Sequence, residues 1–520
     1  MERVAERLAL SEADVSRSHR DRIFNQTKTM TAILIATIGT RDLMFQISSG
    51  DWFNIGDDRM QDGDIIGEQA EVISDLSLSK ISYRDLTKYL LERQDQYMDR
   101  IKPVIIGKLL TERATQIDKL YLIGTDQPID VSQRSKDTIY GCELIKAWVE
   151  KNYQIPTTVV SLGTDGTNPS NFEAMFEWWR KTWCTEIDPP IDREIWLGLK
   201  GGVGQTSEAG RISGLSLYGD RIQFFEFHQN EKHNRAGNPS AYSGPFLGTN
   251  YLWDRTQQQA LKLLDRFDYA GAEELLKPYL QTKNLGAVPN LIKAGIAWNQ
   301  GEFDSFLKYA KSTNILNPSQ QKQSQTWWWM AYEQAYLGVI RLEQNNTVEA
   351  MLHSFRAIEG GLLEWARANL GDNFKDNGRD SPIVLDSILE SHPKLKDDFK
   401  SKNAEKRGRG ELEQHVLWML ISVQRGILKG SLAAALEGGF EYFWSDDCRK
   451  KRNKLSHRLG GISKREVLSA WGEDIKDPFH WDKRVVSCLN ILTGQSFESL
   501  HEASLFAKVH DRVKQSIEQA

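Results

Sequence analysis

The chain has 520 residues, with 66 Lys and Arg against 71 Asp and Glu and a formal net charge of -5. At roughly 150 residues per domain, this length predicts about three domains, each large enough to bury a core. Its 40% hydrophobic and 26% charged residues exclude a largely disordered, collagen-like or small disulfide-stapled protein. The longest apolar run, Ala32 to Ile38, is far below the ~18 residues a membrane helix needs, so no membrane partner is expected. Cys142, Cys184, Cys448 and Cys488 lie far apart with no CxxC pair. That spacing argues against a zinc site or a disulfide framework and for a cytoplasmic protein. The near-neutral balance excludes a basic coat over the whole chain, while a local basic patch could still bind RNA.

Residues 1–30 are polar, with Arg3, Arg7, Arg17, Arg20 and Arg22 set among acids and no apolar h-region. They read as a polar leader, either a loose helix or a stretch that precedes the functional start, and not as a secretory signal. From Thr31 to His228 short β-rich runs alternate with helical patterns. Ala32–Ile38 leads into Gly39-Thr40-Arg41-Asp42, and helical patterns cover Tyr83–Tyr97 and Val104–Gln116. Leu120–Ile123 closes on Gly124-Thr125-Asp126, and residues 137–151 are helical. Thr158–Leu162 closes on Gly163-Thr164-Asp165-Gly166 and is followed by a helix over Phe172–Trp183. Ile195–Leu199 closes on Lys200-Gly201-Gly202-Val203-Gly204, a helix starts near Gln205, and Ile222–Phe227 is the last strand. This order predicts βαβ units and a parallel sheet covered on both faces, a Rossmann-like α/β domain over 31–228. In such sheets ligands lie beyond the carboxyl ends of the strands, where glycines let the backbone approach a phosphate and Thr, Arg and Lys donate to it. Neither GxxxxGK[ST] nor GxGxxG occurs, so the site is neither a P-loop nor a dinucleotide fingerprint.

Residues 229–249 are rich in Asn, Gly, Ser and Pro and read as a linker. Residues 250–322 read as a helical connector, and 323–520 as an all-α domain. Tyr269 and Phe303 follow similar turns 34 positions apart, the tetratricopeptide period, but no third unit at that spacing is evident. Trp327-Trp328-Trp329 opens a helix to about Glu343 and reads as core. Helices are expected over Thr347–Leu370, Glu411–Leu436, Asp446–Leu459 and Lys464–Trp471, with Ser463 and Glu466 as a capping box. Residues 449–458, Arg-Lys-Lys-Arg-Asn-Lys-Leu-Ser-His-Arg, hold six cations and no acid. Blandly, this is a solvated basic face. Functionally, Arg452 can hold a phosphate bidentately, and His457 is the residue type that moves protons near neutrality. Asn453 and His457 share a helical face. Arg452 and His457 are about 140° apart, so one ideal helix does not converge them, and a frayed turn or a second copy is required.

Arg452-Asn453-Lys454-Leu455-Ser456-His457 matches the R-x4-H motif of HEPN ribonucleases, and Phe355–Glu364 resembles an earlier helix of that domain. Ile38-Gly39-Thr40-Arg41-Asp42 and Lys200-Gly201-Gly202 resemble CARF signatures. In pairing and order the chain resembles the CARF–HEPN ribonucleases of type III CRISPR systems. The resemblance implies a cyclic oligoadenylate as allosteric activator, held by Gly39, Thr40, Arg41, Gly163, Thr164, Lys200, Gly201 and Gly202. It further implies a homodimer that cleaves single-stranded RNA, with Arg452, Asn453 and His457 catalytic, no metal and no other cofactor, and no DNA partner. The late loop lacks the Thr-Gly-Gly-Thr-Pro of many relatives; its glycine pair is kept and the flanking hydroxyls are not. A rival from another class is a nucleotide-sensing regulator with a non-catalytic helical binding module.

Overall fold

A computed structural model describes residues 31–56, 60–61, 64–65, 68–280, 283, 285–370, 374–375, 383–384, 443 and 446–520. The expected leader and the expected helix Glu411–Leu436 lie outside the described residues. The chain divides into two compact units, Met1–Trp253 and Asp254–Ala520.

The first unit is built on a six-stranded sheet. Its strands are β1 (Ala32–Thr37), β5 (Ile117–Thr125), β6 (Thr157–Leu162), β7 (Glu194–Gly198), β8 (Ile222–His228) and β9 (Ala241–Leu247), in the order β9-β8-β7-β1-β5-β6. Every pairing is parallel except β8 with β9. All six residues of β1 are buried, as an apolar strand with a neighbour on each edge and helices on each face must be. Alternation divides the strand between two cores. Ala32, Leu34 and Ala36 join Leu120 and Leu122 under α1 (Tyr83–Glu92) and α2 (Ile139–Tyr153). Ile33 and Ile35 join Tyr121, Trp179 and Trp183 under α3 (Phe172–Thr182) and α4 (Gly204–Tyr218). The chain leaves β1 to one side, through β5 and β6, and returns to the other, through β7 and β8. β1 is therefore the topological switch.

Three expectations need correcting. The segment 229–249 is no linker: it holds a short helix, Glu231–Arg235, and β9, which closes the sheet edge by pairing with β8. A small antiparallel sheet of β2 (Leu43–Gln46), β3 (Trp52–Asn54) and β4 (Ile101–Pro103) stands where the sequence reading gave no strands. Its hairpin turn uses Gly50 at φ +98, a conformation that glycine reaches without strain. β4 also takes the place just before the expected helix Val104–Gln116, whose α-helical part is only Gly107–Arg113.

The second unit is helical. Three turns in it share one design. Phe267, Gly301 and Asn345 have φ +58, +75 and +61, and the following amides of Asp268, Glu302 and Asn346 reach back to Leu263, Ala297 and Arg341 carbonyls at 2.9, 2.9 and 2.8 Å. Each is a Schellman stop. They end α5 (Thr249–Leu264), α7 (Val288–Asn299) and α9 (Trp329–Glu343), and α6 (Tyr269–Leu276), α8 (Phe303–Ser312) and α10 (Thr347–Leu370) follow. The third turn escapes a 34-residue search because the helix Pro318–Gln323 is inserted before it. Side chains tie the turns laterally: Asn299 Nδ2 donates to Phe267 O and Arg341 Nη2 to Asn299 O, both at 2.8 Å. Trp328 and Trp329 are buried. The expected boundary at 322/323 does not separate two cores, because Phe506 stacks on Trp298 at 3.8 Å.

Candidate functional site

The carboxyl ends of β1, β5, β6 and β7 open into a cleft of about 870 Å³, at the position where doubly wound sheets hold ligands. Of the eight residues expected at an activator site, Gly39, Thr40, Arg41, Gly163, Lys200, Gly201 and Gly202 line it. Thr164 is exposed and is not part of the lining. The structure adds Thr125, Gln127, Lys136 and Asp137 from the β5–α2 segment.

Glycine is required where the first and late loops touch. A Cβ on Gly201 would lie 2.3 Å from Asp42 Oδ2, 2.5 Å from Thr37 O and 2.6 Å from Gly39 N. A Cβ on Gly39 would lie 2.5 Å from Gly202 N. Gly202 itself has φ +80. Asp42 holds the first loop by accepting the Gly39 amide at 2.6 Å. α4 starts directly beyond the late loop and brings the positive end of a helix to the rim, beside Arg41, Lys136 and Lys200.

The β5 side of the cleft is pinned by reciprocal bonds. Thr125 N donates to Thr138 Oγ1 at 3.0 Å and Thr138 N to Thr125 Oγ1 at 3.1 Å. Buried Asp137 accepts Gln127 N at 2.6 Å and Gln127 Nε2 at 2.8 Å, and pairs with Arg84, which also reaches Asp126 at 2.7 Å. Thr125 is visible in the sequence as a strand-end loop residue. Lys136, Asp137 and Thr138 carry no such signal, since their role depends on a contact made back to β5.

In the second unit the basic run forms α11 (Asp446–Ser456), and His457 lies just past its last residue. The structure does not bring the expected trio together. Arg452 is 7% exposed, with its guanidinium 4.5 Å from the Phe355 ring and 4.2 Å from the Phe443 ring. Its Nη2 donates to Phe443 O at 2.9 Å. Asn453 and His457 are exposed. Two other cations are engaged: Lys451 pairs with Glu473, and Arg458 Nη1 reaches Glu466 at 2.9 Å. Glu466, in the expected capping box with Ser463 before α12 (Lys464–Ser469), is held down to about 2 by the Arg458 and Ser463 bonds. The run is therefore part internal anchor, part exposed face.

Among the described residues no group of three or more His, Cys, Asp or Glu is placed to hold a metal ion. No described helix is long and apolar enough to cross a membrane.

No family model and no curated protein matches the sequence. Among solved structures, the chain resembles Enterococcus italicus Csm6 bound to cyclic hexa-2'-fluoro-hexa-dAMP, at 12% identity and a TM-score of 0.57. The match covers 94% of this chain and 100% of that one. The parallel-sheet unit followed by a helical unit, expected from the sequence, is thus the fold of Csm6.

Proposed function

We propose that this chain is a cyclic-oligoadenylate-activated endoribonuclease of type III CRISPR antiviral defence, a CARF sensor joined to a HEPN nuclease. The observation that carries the reading is the cleft at the β1 switch point. Two interlocked glycine loops, a helix N-terminus and three rim cations meet there, which suits the phosphodiesters of a cyclic oligonucleotide. The fold shared with a Csm6 bound to such a ring supports the same assignment.

In the proposed reaction the RNA 2′-hydroxyl attacks the adjacent phosphorus and the bond to the 5′-oxygen breaks. The products are a 2′,3′-cyclic phosphate and a 5′-hydroxyl. His457 moves the proton, Asn453 positions the phosphate, and Arg452 offsets its developing charge. The attacking group belongs to the substrate, so no metal is invoked. Because Arg452 and His457 lie about 140° apart on one helix, the centre is proposed to form across a twofold homodimer in the cytoplasm, on single-stranded RNA. The inward Arg452 also favours a second reading, a ligand-sensing regulator whose helical unit binds without cutting.

Purified protein with labelled single-stranded RNA separates the two. Cleavage that appears only with cyclic tetra- or hexaadenylate, persists in EDTA and leaves cyclic phosphate ends is expected. Activator binding without cleavage would establish the regulator, and no binding would reject both.

A further inference from the structure

Two buried carboxyl groups line the cleft, in opposite surroundings. Asp137 meets a cation and two amides, with Arg84 Nη1 at 3.3 Å, Gln127 N at 2.6 Å and Gln127 Nε2 at 2.8 Å. Asp42, 2% exposed, has a single donor, the Gly39 amide on Oδ2. Its Oδ1 has no hydrogen-bond partner, and no described cation pairs with it. The titratable groups on its inner side are Tyr83 of α1 and Cys142 of α2, both pushed up by burial and both kept neutral. Arg41 and Lys200 stand exposed at the rim on the same two loops.

A buried carboxylate with one donor and no cation takes up a proton instead of standing bare. Burial accordingly pushes Asp42 up to about 7, against the smaller downward pull of the Gly39 bond. Its Oδ2 lies 2.3 Å from where a Cβ of Gly201 would be, at the contact between the two glycine loops.

We infer that Asp42 is a positioning residue that makes the cleft's hold on a phosphodiester ligand depend on one proton. Neutral, it lets the Gly39 and Gly201 loops close together against the anion. Ionised, it puts an unpaired negative charge beneath both loops and loosens their grip. The inference rests on the proposed reading of this cleft as the cyclic oligoadenylate site. Among the described residues no histidine or cysteine lines the cleft, and phosphodiesters do not titrate between pH 6 and pH 8, so few other described groups could produce the effect.

The test is calorimetric titration of the full chain with cyclic tetra- and hexaadenylate at pH 6, 7 and 8, in buffers of different ionisation enthalpy. If only the neutral form binds well, affinity falls by about tenfold from pH 6 to pH 8. Proton uptake on binding should grow over the same range. Asp42→Asn keeps an acceptor for the Gly39 amide and cannot ionise, so it should hold the acid-side affinity throughout. Equal wild-type affinity at pH 6 and pH 8, an unchanged slope in Asp42→Asn, or a folded Asp42→Asn that binds at no pH would overturn the inference. If neither ring binds wild type at any pH, the functional reading fails on its own. The latch is then decided without ligand, by hydrogen exchange. The Gly201 amide should exchange faster at pH 8 than the intrinsic rate increase accounts for, in wild type but not in Asp42→Asn, and equal behaviour would overturn it.

Discussion

The cleft of the sheet unit and the basic helix of the helical unit represent two ways of placing functional groups. The cleft is assembled within one chain: four strands stop at one edge, and backbone sterics at Gly39 and Gly201 hold the loops together. The helix α11 spreads its motif around its circumference, so packing sends Arg452 into the core and leaves Asn453 and His457 outside. A parallel sheet aims many loops at one point, whereas a single helix aims its residues in all directions. A motif that reads as one unit along the chain can thus be two units in space.

The largest effect is expected from His457→Ala. An exposed group acting only in proton transfer should be lost at a cost of about 10²–10⁴-fold in RNA cleavage, with thermal stability and activator affinity unchanged. Cleavage within twofold of wild type would leave α11 without a catalytic role.

Gly201→Ala attacks the other site. Its Cβ would meet Thr37 O, Asp42 Oδ2 and Gly39 N within 2.6 Å, and two of these are backbone atoms that cannot swing aside. Activator affinity should fall by at least about a hundredfold, the equivalent of two or more lost charge-assisted bonds. Calorimetric titration measures this, and unaltered affinity would move the ligand away from the glycine loops.

Arg452→Ala distinguishes the two sides of the basic run. It removes a guanidinium held against two rings and a buried bond to Phe443 O, so stability should fall by about 2–4 kcal/mol. A sequence reading of Arg452 as catalytic alone predicts no such loss. Denaturant unfolding decides it, with His457→Ala as the reference that should not move.

The smallest effect concerns pH. Glu333, fully buried, accepts Trp298 Nε1 and Ser504 Oγ at 2.8 Å and the Leu505 amide at the start of α13 (Leu505–Glu518). Burial pushes it up to about 7 against those donors. Between the ordinary carboxyl range and pH 7, the folded chain binds the extra proton, so this group's contribution to stability declines as pH rises from about 4.5 to about 7. Glu333→Gln should flatten that part of the melting-temperature profile, and an unchanged slope would assign the titration elsewhere.

The sheet unit was legible because each strand that matters ends in glycine beside Thr, Asp or Lys, and because alternation within Ala32–Thr37 is apolar on both faces. Residues whose role comes from a return contact were not legible. Thr138 and Asp137 act by bonding back to Thr125 and Gln127, and nothing local in the sequence marks them. β9 was missed because Gly244 and Pro245 read as linker residues, yet an edge strand tolerates Pro where no ladder bond is needed. In the helical unit the string from Arg452 to His457 was plain. Which of its members face inward depends on Phe355, 97 positions upstream, a distance that periodicity does not bridge.

The stack of Phe506 on Trp298 bears on how the helical unit reaches its native state. Helix α13 also reaches α6 through His510 and Tyr269 at 2.7 Å, and α5 through Gln257 and Ile517 O at 2.7 Å. Contacts within helical hairpins close early and cheaply, but these join residues more than two hundred positions apart. Phe506, which packs on the rings of Trp298 and Phe306, therefore reaches them only after residues 505–518 have emerged during synthesis. A unit made of locally simple repeats thereby acquires the slow, all-or-none completion of a high-contact-order fold, and with it an interval of aggregation risk that shorter helical stacks avoid.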